Sequence, residues 1–124
     1  MVGARNGSAV GQKLTRQLAT ELGLEGFVIA SGLARGIGTA AHLASLERGT
    51  IAVLAGGIDV VYPPENADLQ RAIGEQGLLL SERGPGFAPR GKDFPRRNRL
   101  ISGISLGVVV AWAIDFSSST RVAI

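Results

Sequence analysis

Phe27-Val28-Ile29-Ala30-Ser31-Gly32-Leu33-Ala34-Arg35-Gly36-Ile37-Gly38 joins an apolar run to a glycine-rich turn, and with the residues up to Leu54 it sets the topology of the chain. Phe27-Val28-Ile29-Ala30 reads as a buried strand, residues 31–38 as the turn at its carboxyl end, and residues 39–48 as the helix this turn opens. Gly49 stops that helix. Ile51-Ala52-Val53-Leu54 is again apolar without alternation, as in a strand covered on both faces. Strand, turn, helix and strand in this order is the repeating unit of a parallel α/β sheet with crossover helices.

The same grammar extends in both directions. Upstream, Val10, Leu14, Leu18 and Leu22 recur every four residues and predict one buried helical face, with Asn6 or Ser8 as cap and Gly23 as stop. Downstream, a short helix takes Leu69 and Ile73 inward, Leu78-Leu79-Leu80-Ser81 predicts a strand, and a Gly- and Pro-rich loop covers residues 83–93. Pro95 suits the first turn of a helix carrying Leu100, Ile101 and Ile104, and Val108-Val109-Val110-Ala111 predicts the last strand. No repeat or linker divides the chain, so residues 1–124 read as one Rossmann-like unit. The short strand tail at Met1-Val2-Gly3 and a helix just begun at residues 120–124 lead us to expect a partial form of a longer protein.

Composition narrows the function. The 124 residues include no cysteine, which excludes disulfides, thiolate catalysis and cysteine-ligated metal. The longest uncharged apolar stretch, residues 103–114, is too short to cross a bilayer, and no basic start with an apolar run marks a signal peptide. A cytoplasmic location with no membrane partner is expected. Eighteen glycines, roughly twice the usual share, imply many turns that need backbone freedom or close approach. The net charge of +3 is mild, but five of the 13 basic residues, Arg90, Lys92, Arg96, Arg97 and Arg99, fall within ten positions. With Phe94 and Asn98 among them, this run suits nucleic acid: cations pair with phosphates, while Arg planes and a Phe ring stack on bases.

In an open parallel sheet, ligands sit beyond the carboxyl ends of the strands, where helix N-termini present unpaired amides. Gly32-x-x-x-Gly36-x-Gly38 stands there, though its spacing matches neither the dinucleotide fingerprint nor the P-loop. Its glycines can face a phosphate or simply make a tight turn, and Arg35 in its middle is a mobile phosphate partner. Gly3-Ala4-Arg5 repeats the arrangement. His42, the only histidine, lies among Ala41, Leu43 and Ala44 and reads as a packed, hydrogen-bonded side chain. Asp59, Glu65 and Asp68 lack a second carboxylate or His at ligand spacing, so neither a metal nor a cofactor is expected. Tyr62 before two prolines reads as a structural plug and Trp112 as packing at the last strand.

Taken together, Val2-Gly3-Ala4-Arg5, Ser31-Gly32-Leu33-Ala34-Arg35-Gly36-Ile37 with Ala41-His42, Ile58-Asp59-Val60-Val61-Tyr62-Pro63-Pro64-Glu65-Asn66, Ser81-Glu82, and Phe94-Pro95-Arg96-Arg97-Asn98-Arg99-Leu100-Ile101-Ser102-Gly103 resemble the DNA processing protein A family, also called DprA or Smf. The resemblance implies an extended Rossmann-like parallel sheet flanked by helices. It also implies binding of single-stranded DNA during natural transformation, its protection, and its delivery to a RecA-type recombinase, with homodimerisation of the full-length protein. It places Arg35, Gly36, Lys92, Phe94, Arg97, Asn98 and Arg99 in the DNA-binding pocket. Two departures stand out. Gly38 occupies a position where the family usually has Asp, leaving Thr39 to cap the following helix, and Ser117-Ser118-Ser119-Thr120 replaces the family's Ser-Gly-Ser turn.

The expectation is therefore a DNA-binding module without catalysis, in which Arg35, Lys92, Arg97 and Arg99 hold phosphates and Phe94 packs on a base or sugar. A nucleotide-processing enzyme is the alternative, because a related Rossmann-like family hydrolyses nucleoside monophosphates. Ala55-Gly56-Gly57-Ile58-Asp59 lacks the Gly-Thr-x-x-Glu continuation that such enzymes carry. A scaffold form that keeps the fold without partner contacts is the third possibility.

Overall fold

The computed structural model describes residues 1–3 and 9–112. The elements run β1 (Val2–Gly3), α1 (Ala9–Leu24), β2 (Ile29–Gly32), α2 (Ile37–Ser45), β3 (Thr50–Val53), a 3₁₀ turn (Pro64–Asn66), α3 (Ala67–Gln76), β4 (Leu78–Leu80), α4 (Asp93–Gly103) and β5 (Val110–Trp112). The Gly3-Ala4-Arg5 turn, the caps Asn6 and Ser8, and the Ser117–Thr120 departure fall wholly or mostly outside the described residues.

Strand pairing is parallel throughout the described residues. β2, β3 and β4 form one sheet in that order, with Ile29 opposite Thr50 and Ile51 opposite Leu78, while β1 pairs with β5. The Ser31 hydroxyl in β2 donates to the Met1 carbonyl at 2.6 Å, tying the second pair to the first sheet.

Because successive strand side chains point to opposite faces, β3 is buried from both sides, as its unbroken apolar run predicts. Ala52, with Leu54 just beyond the strand, packs toward Leu69 and Ile73 of α3. Val53 packs toward Ile101 of α4. Ile29 of β2 meets Ala19 of α1 and Ala41 of α2 in a third cluster. Burying these faces supplies most of the driving force for the fold.

Two local expectations are corrected. The buried face of α1 is formed by Gly11, Thr15 and Ala19, one position along from the leucine stripe, and Val10 and Leu14 are 74% and 58% exposed. Small residues let α1 lie close against α2, and the bulkier leucines are displaced to the rim, where Leu18 and Leu22 stay half-buried. β2 begins two residues later than its apolar run, because the turn at Gly26 holds Phe27 by a hydrogen bond back to the Leu22 carbonyl. Phe27 and Val28 are left exposed, and the strand's last residue becomes Gly32. Similarly, Ile104 is solvent-facing while Ile101 carries the packing of α4.

Candidate nucleic-acid interface

The parallel strands direct their carboxyl ends toward one rim, where the 32–38 turn, the 54–63 segment, the 81–92 loop and the start of α4 converge. Each is anchored by identifiable bonds. Gln70, buried on α3, donates to the Val60 carbonyl at 3.0 Å and accepts from the Tyr62 N–H at 3.4 Å. Ser81 donates to the Gly56 carbonyl at 2.7 Å, and Asp59 accepts from the Gly86 N–H at 2.8 Å. Thr39 does not cap α2. Its hydroxyl donates to the Ala34 carbonyl at 2.7 Å and accepts from Asn66 at 2.9 Å, fastening the turn to the 3₁₀ segment. Gly38 lies so close to the turn that a Cβ there would sit 2.4 Å from the Gly32 carbonyl oxygen, so this backbone excludes the aspartate the family usually carries.

α4 begins at Asp93, which is buried and binds the preceding loop. Its carboxylate accepts from the Arg90 N–H at 2.8 Å and from the Arg83 guanidinium at 3.0 Å. The Arg90 N–H, followed by the charges of Arg83 and Arg90, holds this carboxyl below the usual carboxylate range despite the opposing effect of burial. From there the helical period divides the basic run. Phe94, Arg97, Asn98 and Ile101 recur at i, i+3, i+4 and i+7 and form the inner face. Lys92, Arg96 and Arg99 are left outside.

This division sets Phe94, Arg97 and Asn98, which the resemblance places among the DNA contacts, beneath the surface. Arg97, 6% exposed, donates from Nη1 to the Val53 carbonyl at 2.8 Å and from Nε to Asn98 Oδ1 at 2.9 Å. Its guanidinium rests on Gly32, where a Cβ would lie 2.6 Å from Cζ. That close approach is the reason for a glycine at the end of β2. Phe94 lies 5.7 Å beneath the same guanidinium and packs its ring on Tyr62, centroid to centroid 5.4 Å at 47°. Side chains on the helical face that rests on the sheet are buried whatever their charge, whereas Arg96, one residue before Arg97, faces solvent.

The outer cations keep carboxylate company. Arg35 makes a forked ion pair with Glu65, which raises the guanidinium's pKa and lowers that of the carboxyl. Arg96 lies 3.7 Å from Glu82, and Arg99 donates to the other oxygen of the same carboxylate. Lys92 is exposed at the helix start. Gly36 takes a positive φ of 77° ahead of α2, a backbone state that favours glycine. A recess lined by Ala34, Arg35, Tyr62, Pro63 and Phe94 joins the turn to α4. The structure thus brings Arg35 and the start of α4 together around the Tyr62–Phe94 pair.

Sequence reasoning missed the two carboxylates that partner these arginines. Glu82 lies within the Ser81-Glu82 motif, but Glu65 is 30 residues from Arg35 and no spacing rule connects them. His42 is fully buried with Nδ1 2.7 Å from the Thr50 hydroxyl, in keeping with its apolar helix neighbours. Burial pushes its pKa down to about 4. Asp68 pairs with Arg71 on the surface, and no group of three or more potential metal ligands gathers among the described residues. Among those residues no helix is long and apolar enough to cross a membrane.

A parallel α/β sheet with helices on both faces and its polar rim at the strands' carboxyl ends defines a Rossmann-like domain. The chain belongs to the DNA recombination-mediator protein A family, whose model matches residues 1–123. It is 50% identical over 115 residues to the DNA processing protein DprA of Streptococcus pneumoniae, covering 91% of this chain and 40% of that protein. It is 43% identical over 121 residues to DprA of Bacillus subtilis, covering 96% of this chain and 41% of the relative. The solved structure of S. pneumoniae DprA superposes with a TM-score of 0.85 at 47% identity, over 95% of this chain and 42% of that one. A Helicobacter pylori DNA processing protein A structure, described for its single-stranded DNA binding mode, gives 0.84 at 33% identity, over 98% of this chain and 58% of that one. The chain thus spans about two fifths of the length of these curated relatives.

Proposed function

We propose that this chain binds single-stranded DNA across the rim formed by the 32–38 turn and the start of α4. The observation that carries the reading is exposed Arg35 in one recess with the Tyr62–Phe94 pair, beside the helix α4 whose start and outer face present exposed Lys92, Arg96 and Arg99. Arg35, Lys92 and Arg99 take phosphates, with the backbone at Gly36 assisting, and Arg96 adds to the field. Phe94, Arg97 and Asn98 act from beneath as the floor that holds the rim in shape. The family relatives named for DNA processing, and the H. pylori protein described for single-strand binding, support this class of ligand.

Within the full-length protein the same rim protects incoming DNA during transformation and presents it to a RecA-type recombinase, with two copies assembling as a dimer. That part of the proposal rests on family membership. We read the role as binding without catalysis, in line with relatives named for DNA processing and one described for single-stranded DNA binding.

Measuring oligonucleotide affinity against salt tests the reading. Three or four phosphate contacts give a slope of log affinity against log salt of roughly −2 to −3 for a single strand. A flat response overturns it.

A further inference from the structure

We propose that the outer face of α1 is a self-association surface, on which a second copy of this chain lays its own α1 in the antiparallel direction. Val10, Leu14, Gln17, Glu21 and Leu24 are all exposed and follow one another at alternating steps of four and three residues. That alternation lines them up along one side of a helix, and it is the spacing with which one helix seats against another. Gly11, Thr15 and Ala19 bury the other side in the protein's own core, so the stripe is left over from the fold. Val10, Leu14 and Leu24 are 74%, 58% and 60% exposed. Single exposed leucines are ordinary, but three large aliphatic side chains in register on one helix form a continuous apolar strip.

Charge selects the partner and its direction. Lys13 flanks the strip near its start and Glu21 lies on it near its end, and neither makes an ion pair among the described residues. In an antiparallel pair centred on Gln17, Lys13 of each copy meets Glu21 of the other and Val10 meets Leu24. The two Gln17 amides, each both donor and acceptor, meet across the axis. A parallel pair would set Lys13 beside Lys13 and Glu21 beside Glu21. A recess of about 360 Å³ lined by Leu18, Glu21, Leu22, Leu24 and Glu25 gives Val10 of the second copy a seat.

The size of the face sets the strength. One side of a 16-residue helix, about 24 Å long, covers less than the roughly 1,200 Å² of a stable interface. The pair therefore forms and dissociates with concentration. Because the strip faces away from the sheet, the inference does not depend on the DNA-binding reading and survives its failure. It is also separate from the full-length dimer, which rests on family membership alone.

Sedimentation velocity of the unmodified chain between about 10 μM and about 1 mM tests the pairing, with each variant checked for folding by circular dichroism. The expected result is a monomer at the low end that shifts to a dimer at the high end. Leu14→Glu, at a position already open to water, stays folded and monomeric throughout. At low salt Lys13→Glu and Glu21→Lys each weaken the dimer by several fold, and the double variant recovers it, because the exchanged charges still meet. A chain that is monomeric at every concentration overturns the inference and leaves the strip to a partner of another kind. A dimer that survives in Leu14→Glu overturns it too, as does a double variant that fails to recover what the single variants lose. Since the chain has no cysteine, Gln17→Cys on the axis gives a direct reading. Under mild oxidation it should form a disulfide-linked dimer at concentrations where exposed Arg71→Cys does not, and equal crosslinking of the two refutes the contact.

Discussion

Arg97 and Arg99 stand two residues apart on one helix with the same guanidinium, yet they belong to different parts of the molecule. Arg97 lies under the rim, its donors spent on the Val53 carbonyl and Asn98, while Arg99 lies on top of it against Glu82. The same contrast separates buried His42 and Asp93 from exposed Arg35 and Lys92. Titratable groups beneath the rim hold the fold in shape, and those above it face solvent. Charge identifies neither set, because position around the helix decides which way each arginine of α4 faces.

The largest expected effect lies beneath. Arg97→Ala leaves the Val53 carbonyl without its charged donor and a gap over Gly32, and it should cost about 3 kcal/mol of unfolding free energy in urea melts. Arg99→Ala should leave the urea midpoint essentially unchanged, since exposed ion pairs contribute little. Equal stability of the two variants would erase the distinction.

His42 extends the inner set to pH. Its pKa is about 4 in the fold against an ordinary 6.5, so the unfolded chain binds the proton more readily between those values. Its contribution to stability is full above pH 6.5 and is lost as pH falls toward 4. Between pH 7.5 and pH 5 the loss is about 2 kcal/mol. Urea melts of the unmodified chain and of His42→Gln at both pH values check this, because the variant should lack that component of the pH dependence.

Smaller effects belong to the outer set and appear in binding alone. Arg35→Ala or Lys92→Ala should each weaken single-stranded DNA binding by several fold for every sequence alike and reduce the salt slope by about 0.7. A variant that instead changes base preference would place that residue among base contacts. Smallest of all, Glu82→Gln releases Arg96 and Arg99 from a competing carboxylate and should tighten binding about two-fold at low salt, with the gain fading as salt rises. Weaker binding in Glu82→Gln would mean the carboxylate orients these arginines rather than competing for them.

The order of elements was legible because it depends on short-range rules. Apolar runs at residues 51–54 and 78–80, the turn after Ser31 and the proline near the start of α4 each announce themselves within a few residues. Leu69 and Ile73 are buried as their spacing predicts. The face of α1 was not legible, because close packing on α2 favours Gly11, Thr15 and Ala19 over a leucine stripe that looks more hydrophobic in isolation. At the rim, local pattern was enough to collect arginines, glycines and aromatics at the carboxyl ends of parallel strands. Packing across the fold was needed to turn Arg97 inward onto Gly32, to lay Phe94 beneath Tyr62, and to bring Glu65 to Arg35 across 30 residues. Local propensity acts within a turn or two of chain, whereas the helix's seat on the sheet, which assigns each side chain to core or solvent, is a long-range contact no local pattern encodes.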